Sequence, residues 1–368
     1  MTPDDLLAGP RGRRFALSLL HEALDPESAA AERLGQARFW ADYHLSVRRG
    51  DGIALSGPGA GDPAPDPGVD EVARSIAGAA DVVDAGRLDP TGVLRALAET
   101  ADSAMSWQEP DATDVLLGMP VSRAALDRLA TVLAGSPLVA ALVDVGPTAP
   151  QWRTTFEGEA HAAVGSSAAT VLRDWRAELL AEVDRATRRD RRRPAAANVS
   201  GSWWSTPPSG LLTTTPSTGD GADGPIGLWA VEDGFGWEHA TVAAATPPTG
   251  ARVLVVDDAA DWAHLCRRWS VDVSDTTRRH DWYRTTGRDG RWVTPDWVGV
   301  AEEYDAVHLT VRGWLRAAGT AVEVDDRNAG VIAGWTPGTT AWLTDPSPSL
   351  GSGEPWSRRG HDAGWTTD

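Results

Sequence analysis

The first half of the chain has the apolar spacing of helices. Its clearest run follows a 3, 4, 4 spacing and places one apolar stripe along a helix from about residue 168 to 188: Leu172, Trp175, Leu179 and Val183. Asp25-Pro26-Glu27 and Asp89-Pro90 each join an N-cap residue to a proline, so each predicts the start of a helix. Residues 1–195 are therefore predicted to form a helical domain, with a flexible glycine- and proline-rich loop at about residues 50–68.

A different pattern begins near residue 198. Short apolar and β-branched runs, bounded by glycine, proline or aspartate, predict strands at residues 199–205, 227–231, 252–256, 306–311 and 331–334. Two predicted helices intervene, at residues 259–269 and 297–304. We therefore expect an α+β protein overall, in which the all-α N-terminal domain precedes a tryptophan-rich α+β domain at residues 198–345 with a small, mainly antiparallel sheet.

The last segment, residues 346–368, has the composition of a disordered tail. It is rich in serine, glycine and proline and has few residues that could build a core. It nevertheless carries Trp356 and Trp365, so docking of this tail on the body of the protein or on a partner is an alternative.

Tryptophan is distributed unevenly between the two halves. Fourteen of the eighteen tryptophans follow residue 202, which supports a boundary near residue 198. Because burying an indole removes a large apolar area from water, we expect most of them to lie in a core. Trp204, Trp282 and Trp335 are the ones we predict as platforms for a ligand.

Charge restricts the classes of partner. The chain has 52 acidic residues against 34 basic ones, a formal net charge of −18, and every basic residue is arginine, which is typical of a high-GC bacterial genome. An acidic protein repels phosphate backbones and anionic lipid surfaces, so we expect neither nucleic acid nor membrane as a partner. The sequence shows no signal peptide and no apolar run long enough for a membrane helix, which predicts a cytoplasmic protein.

Several common catalytic motifs are missing from the sequence. Without lysine there is no phosphate-binding P-loop, and no Gly-x-Gly-x-x-Gly follows a predicted strand. The zincin and α/β-hydrolase motifs are also missing. The single cysteine, Cys266, lies on the apolar stripe of a predicted helix and is interpreted as a buried structural residue, and we predict no metal site.

Two segments combine polar and aromatic residues densely. His280 and Asp281 are followed by Trp282 and Arg284, and Tyr304 and Asp305 precede His308. A carboxylate beside an imidazole can orient a general base, and an arginine beside an indole can hold a phosphate or stack on a flat ring. The structural alternative is that each histidine is half-buried and bonded to a backbone carbonyl.

Residues 199–345 resemble the ADP-ribosyltransferase superfamily, in particular its divergent toxin-like branches. The resemblance is carried by five segments, which are Gly227-Leu228-Trp229-Ala230, residues 252–256, residues 304–309, Gly334-Trp335 and Ala341-Trp342-Leu343. It implies NAD as the ligand and a transferase-like activity. The catalytic residues predicted with it are His280, Asp281, Arg284, His308 and Glu323, and the cofactor-binding residues are Trp204, Ser205, Trp282, Tyr304 and Asp305.

The chain departs from the family at its functional positions. The alignment puts Ser205 or residues 213–215 near the first strand of the family, Trp229 on the second, and Thr339 or Thr340 where a glutamate is expected. Glu323 and Asp325 are the nearest carboxylates in sequence. Because that glutamate is the main electrostatic stabiliser of the transfer, its absence indicates either that the alignment is shifted or that the domain is a degenerate one that binds NAD or a related nucleotide.

Two other functions are compatible with the sequence. The first is a non-catalytic protein-interaction module, in which the tryptophan-rich domain and the tail form the surface that binds a partner. This function requires a sizeable exposed apolar patch. Exposed indoles would also serve a sugar-binding module.

Overall fold

The N-terminal part of the protein is built of helices. The computed structural model describes residues 1–50, 66–158, 167–189, 193–219, 221–234, 236–360 and 364–367. Most of the predicted loop at residues 50–68 lies outside these residues. The α-helices before the first described strand are α1 (Pro3–Leu7), α2 (Pro10–Ala23), α3 (Ala29–Arg49), α4 (Gly68–Ala80), α5 (Pro90–Asp102), α6 (Ala112–Gly118), α7 (Pro120–Ala134) and α8 (Pro137–Val143).

Capping residues decide where these helices begin. α5 begins at Pro90 as predicted, and the Asp89 carboxylate accepts a hydrogen bond from the backbone N–H of Gly92 at 2.6 Å. The predicted cap at Asp25 is wrong, because α3 begins four residues later and the Ser28 hydroxyl accepts from the N–H of Ala31 at 3.2 Å.

The remaining elements are strands interspersed with one long and several short helices. The strands are β1 (Gln151–Phe156), β2 (Thr213–Pro216), β3 (His239–Thr246), β4 (Val253–Val256), β5 (Ser270–Asp272), β6 (Arg291–Pro295), β7 (Ala306–Leu309), β8 (Val322–Glu323), β9 (Asn328–Gly330), β10 (Thr340–Trp342), β11 (Ser349–Ser357) and β12 (Thr366–Thr367). The helices are α9 (Ala168–Arg189), α10 (Ile226–Trp229), α11 (Ala259–Arg268), α12 (Arg278–Thr286), α13 (Trp297–Ala301) and α14 (Val311–Ala317).

In the described part of the chain these strands form two sheets. The larger has eight strands in the order β12-β11-β3-β1-β2-β10-β7-β4, and its strands pair antiparallel except for β4 with β7. The smaller has four strands in the order β5-β6-β9-β8, with β6 and β9 parallel. The predicted α+β class with mainly antiparallel strands is confirmed.

One apolar core passes through both halves of the protein. It runs from Leu6 and Leu129 in the N-terminal helices to Trp314 and Trp356 near the other end of the chain. The prediction that residues 1–195 are all helical is wrong for Gln151–Phe156, because this segment is strand β1 and lies between β3 and β2 in the large sheet. Packing between the halves is close, since a Cβ on Gly9 would lie 2.5 Å from the carbonyl oxygen of Arg316 in α14.

A second, smaller core lies between α9 and the four-stranded sheet. Leu179 from the apolar stripe of α9 packs there with the fully buried indoles of Trp282 and Trp292. The two rings meet edge to face with their centroids 5.5 Å apart. Trp282 and Trp292 are thus core residues, as we expect for most of the tryptophans.

The C-terminal segment is ordered as strand, so the prediction of disorder for residues 346–368 is wrong for its described part. β11 pairs antiparallel with β3 along the edge of the large sheet, and Trp356 and Trp365 are only 6% and 5% exposed. Composition suggested disorder because Ser, Gly and Pro favour it on average, but the open edge of β3 supplies backbone partners and the two indoles supply apolar burial.

Among the described residues, no single helix is both long enough and apolar enough to cross a membrane. Within the same residues, α7 and α8 taken together pass a test of length and composition, but they are bent by 96° at their junction.

Candidate functional site

An open cleft of about 440 Å³ lies against one face of the large sheet. Trp152 and Thr154 of β1 and Thr215 of β2 line it, and Trp152 stands directly opposite Thr215 in the antiparallel register. Because alternate residues of a strand point to the same face, these side chains share one surface. The sheet therefore fixes the floor of the cleft.

The floor is held rigid by hydrogen bonds from its own side chains. The Trp152 indole Nε1 donates to the hydroxyl of Ser217 at 3.2 Å, and the backbone N–H of Gly227 donates to the Thr215 hydroxyl at 3.0 Å. A Cβ on Gly227 would lie 2.8 Å from that same hydroxyl, so only glycine lets α10 approach the sheet this closely. The prediction of a strand at residues 227–231 is wrong, because the segment begins with the short helix α10, which packs against the sheet.

Arg153 is the one charged residue among the described residues that line the cleft. The Arg153 guanidinium donates to the Thr213 hydroxyl at 2.6 Å, and both residues line the cleft. Its neighbours in the lining include hydroxyls from Thr206, Ser209 and Thr339. Among the lining residues that the structure describes there is no carboxylate, although the protein as a whole carries a net charge of −18.

The opposite wall is formed by Gly334 and Trp335. Gly334 has a φ of +72°, and a Cβ there would lie 2.8 Å from the Cβ of Trp204. Trp335 packs edge to face against Trp262 and Trp297, with centroids 6.2 Å and 5.7 Å away. The predicted ligand platform at Trp335 does line the cleft, but the ring is 1% exposed, so it acts as a wall.

A buried carboxylate lies directly behind this wall. Glu232 accepts from the backbone N–H of Gly334 at 2.6 Å and from the indole Nε1 of Trp314 at 2.8 Å. Burial raises the pKa of Glu232 to about 7, against the opposing effects of these two donors and of Arg11. Glu232 therefore titrates well above the usual range of a glutamate while its hydrogen bond holds the backbone of the cleft wall.

The predicted catalytic side chains on α12 are bonded to one another and to the backbone of distant segments. Arg284 donates to the backbone carbonyls of Trp107, Ala197 and Val199 and forms an ion pair with Asp281. Burial raises the pKa of Asp281, which also accepts from the N–H of Gly201. These hydrogen bonds connect α12 to the segment before β2, at residues 197–201, and to the loop after α5, at Trp107.

The two predicted histidines are likewise buried and bonded. His280 is fully buried, and its Nδ1 lies 2.9 Å from the carbonyl oxygen of Ala195, which matches the structural alternative. His308 is also fully buried on β7, with its Nδ1 2.8 Å from the Thr340 hydroxyl. Burial lowers the pKa of His308 to about 4, so its imidazole is neutral at pH 7.

The predicted catalytic residues are not brought together around the cleft. Glu323 is exposed on β8 and pairs with Arg288 at 3.0 Å, and neither residue lines the cleft. Three of the five lie on α12, namely His280, Asp281 and Arg284. His308 lies on β7, opposite Thr340 of the neighbouring strand β10. We therefore assign no shared reaction centre to the five predicted positions.

The predicted cofactor-binding residues are also dispersed. Ser205 is buried, and its hydroxyl accepts from the backbone N–H of Ala333 at 3.1 Å. The Trp282 indole donates to the carbonyl of Trp203 at 2.7 Å inside the small core. Trp204 is 44% exposed and stacks edge to face on Trp203.

Tyr304 and Asp305 belong to a surface ion-pair region at the start of β7. The Asp305 carboxylate accepts from the backbone N–H of Arg252 at 2.8 Å, and the hydrogen bonds from Arg252 lower the pKa of Asp305. Tyr304 meets Trp269 edge to face at 6.0 Å.

The sequence contained part of the signal for the cleft. The threonine run at residues 213–215 and Thr339 were placed near functional positions by the resemblance, and both line the cleft. Trp152 and Arg153 were missed, because they lie in a region interpreted as helical and only long-range pairing with β2 and β3 makes them part of a sheet. No family model, curated protein or solved structure matches the chain.

Proposed function

We propose that the protein binds a small phosphorylated ligand of the nucleotide class, NAD or a relative of it, in the cleft lined by Trp152, Arg153 and Thr215. The observation that carries the proposal is the lining, which has one arginine, many hydroxyls and, in its described part, no carboxylate. In a protein with a net charge of −18, such a lining is the local environment that an anion would select.

The lining also supplies the contacts that such a ligand needs. Arginine and hydroxyl groups are common donors to phosphate oxygens, and the half-buried indole of Trp152 offers a surface for a flat base. A volume of about 440 Å³ falls within the usual range of small-molecule sites.

The same residues favour binding over ADP-ribosyl transfer. A transferase requires a carboxylate that stabilises the forming ribosyl cation. Glu232, the carboxylate behind the cleft wall, is committed to Trp314 and to the backbone of Gly334. Glu323, the carboxylate predicted from the sequence, lies on the surface with Arg288.

Calorimetric titration of the full-length protein tests the proposal. NAD, ADP-ribose, ADP and inorganic phosphate are the anionic probes, and adenosine and glucose are neutral probes that report base stacking and sugar binding. We expect the phosphorylated probes to bind and Arg153→Gln to weaken them by about tenfold, since a charge-assisted bond contributes about 1.5–3 kcal/mol.

The control is Arg252→Gln, which removes an exposed arginine that pairs with Asp305 away from the cleft. It should leave all affinities unchanged. Failure of every phosphorylated probe to bind, or equal binding by the Arg153→Gln protein, would refute the proposal. Tight binding of glucose alone would instead support the sugar-binding function.

A protein-interaction module receives less support. The large apolar side chains that are exposed in the described residues are scattered over separate elements, among them Phe39 on α3, Leu180 on α9 and Leu350 on β11. Isolated exposed apolar residues are normal on a monomer. Trp356 and Trp365 of the tail are buried in the protein itself.

A further inference from the structure

A second cavity, of about 770 Å³, lies on the other face of the large sheet. Its floor is made by Gln151, Thr340 and Trp342, which are all nearly fully buried. Gln151 precedes Trp152 in β1 and so points away from the cleft. Val255 on the edge strand β4 also lines the cavity and is 37% exposed, which marks its mouth.

The floor carries a chain of hydrogen-bonded polar side chains that crosses the sheet. The Thr214 hydroxyl donates to the Gln151 amide oxygen at 2.9 Å, and the Trp342 Nε1 donates to the Thr214 hydroxyl at 3.1 Å. The Thr340 hydroxyl lies 3.5 Å from the same Gln151 oxygen and 2.8 Å from the Nδ1 of His308. Four strands, β1, β2, β10 and β7, are thus linked through their side chains on this face.

His308 is the last residue of this hydrogen-bonded series, and one of its ring nitrogens has no hydrogen-bond partner among the described residues. In the register of the sheet it stands between Thr340 and Val255, both of which line the cavity. Its Nε2 is buried and has no hydrogen-bond partner among the described residues. An unpaired buried polar atom is costly, and a ligand group that reaches it would remove that cost.

The walls of the cavity are uncharged and mostly apolar, with Thr148 and Thr246 as their polar residues. Pro147, Pro150, Pro247 and Pro248 contribute rings and no backbone N–H groups, and no charged side chain occurs among the described lining residues. Such walls favour a neutral ligand over an ionised one, because they offer no charged partner to a ligand charge.

We propose that this cavity is a second ligand site, which takes a neutral, largely apolar small molecule with a polar group that bonds to the Thr340 hydroxyl next to His308. The proposal is independent of the cleft on the opposite face, because the two sites differ in charge and use different residues of β1. Its volume suits a drug-sized molecule.

A neutral fluorescent probe of this chemistry, 1-aminoanthracene, tests the site in the full-length protein. We expect saturable fluorescence enhancement and energy transfer from Trp342, with the transfer reduced in Trp342→Phe. Val255→Trp should obstruct the mouth and weaken binding by about tenfold or more. Thr340→Val, which keeps the shape of the side chain, should weaken it severalfold by removing the hydroxyl next to His308.

Two controls show whether the probe binds in this cavity or elsewhere on the protein. Val121→Trp changes an exposed valine on α7 outside the cavity and should leave binding unchanged. Arg153→Gln and saturating ADP should also leave it unchanged, so failure of the cleft proposal would not mimic failure here. No saturable binding, or equal affinity in the native, Val255→Trp and Thr340→Val proteins with unchanged circular dichroism, would overturn the proposal.

Discussion

Glu232 accepts a hydrogen bond from the indole Nε1 of Trp314 at 2.8 Å, and this contact joins the central core to the wall of the cleft. The other oxygen of the same carboxyl holds the backbone of Gly334. A single buried acid therefore connects α14 to the segment that carries Trp335. We therefore expect its protonation state to affect the stability of the fold.

Stability should depend on pH through Glu232. Its pKa is about 7 in the folded protein and 4.5 ordinarily, so between these values the folded state holds a proton that the unfolded state has lost. Stability therefore falls as pH rises from 4.5 to 7 and stays lower above. A shift of this size corresponds to about 3 kcal/mol.

Glu232→Gln removes this titration. Urea unfolding at several pH values should show that the stability of the variant relative to the native protein improves by about 2–3 kcal/mol between pH about 4.5 and about 8. The comparison is made at each pH, so other titrating groups cancel. A difference that is constant across this range would show that Glu232 does not titrate as described.

His308 should act on the acid side of the pH profile. Its pKa is about 4 in the folded protein and 6.5 ordinarily, so the unfolded state takes up a proton first as pH falls. Through this group, the free energy of unfolding should therefore decrease by about 3 kcal/mol as pH falls from about 6.5 to about 4. In His308→Asn, which keeps a polar atom near Thr340, that loss should be missing from unfolding curves. An equally steep acid profile in the variant would contradict the assignment.

Arg284 should matter for stability far more than Glu323. Arg284→Ala leaves the buried carboxylate of Asp281 without its cation and frees three backbone carbonyls, and we expect a loss of about 3–5 kcal/mol. Glu323→Ala removes an exposed ion pair with Arg288 and should cost less than about 1 kcal/mol. Chemical denaturation of both variants distinguishes a structural α12 from a catalytic one. Equal, small losses would argue against the structural role.

Trp356 should anchor the C-terminal strand. Trp356→Ala removes an indole that is 6% exposed and should destabilise the protein by about 3–5 kcal/mol. Leu350→Ala, a 48% exposed position on the same strand, should change stability by less than about 0.5 kcal/mol. Thermal unfolding of the two variants makes the comparison. Similar midpoints for both would show that β11 contributes little to the fold.

Local patterns predicted local structure well. The apolar stripe of α9, the Asp89 cap of α5 and the buried face of α11 with Trp262 and Cys266 all depend on residues a few positions apart. These features are set by helix geometry and by capping, which a sequence displays directly.

Long-range partners account for what the sequence did not show. His280, Asp281 and Arg284 looked like a catalytic cluster because they adjoin one another, but groups at residues 107, 195, 197 and 199 use their polar atoms. The helix α12 was not predicted, because most of its buried side chains are polar. Their hydrogen-bond partners lie far away in the sequence. The cleft was only partly predictable, since Trp152 and Arg153 join residues 213–215 only through strand pairing.

The strand order has a consequence for how the protein is made. β1 leaves the ribosome early, yet its two neighbours, β2 and β3, lie beyond residue 212, and β3 itself waits for β11. The nascent chain thus carries an unpaired strand edge throughout the synthesis of α9 and the segment that follows it. Because such edges recruit other strands, we expect β1 to be open to intermolecular pairing until β2 and β3 have been made.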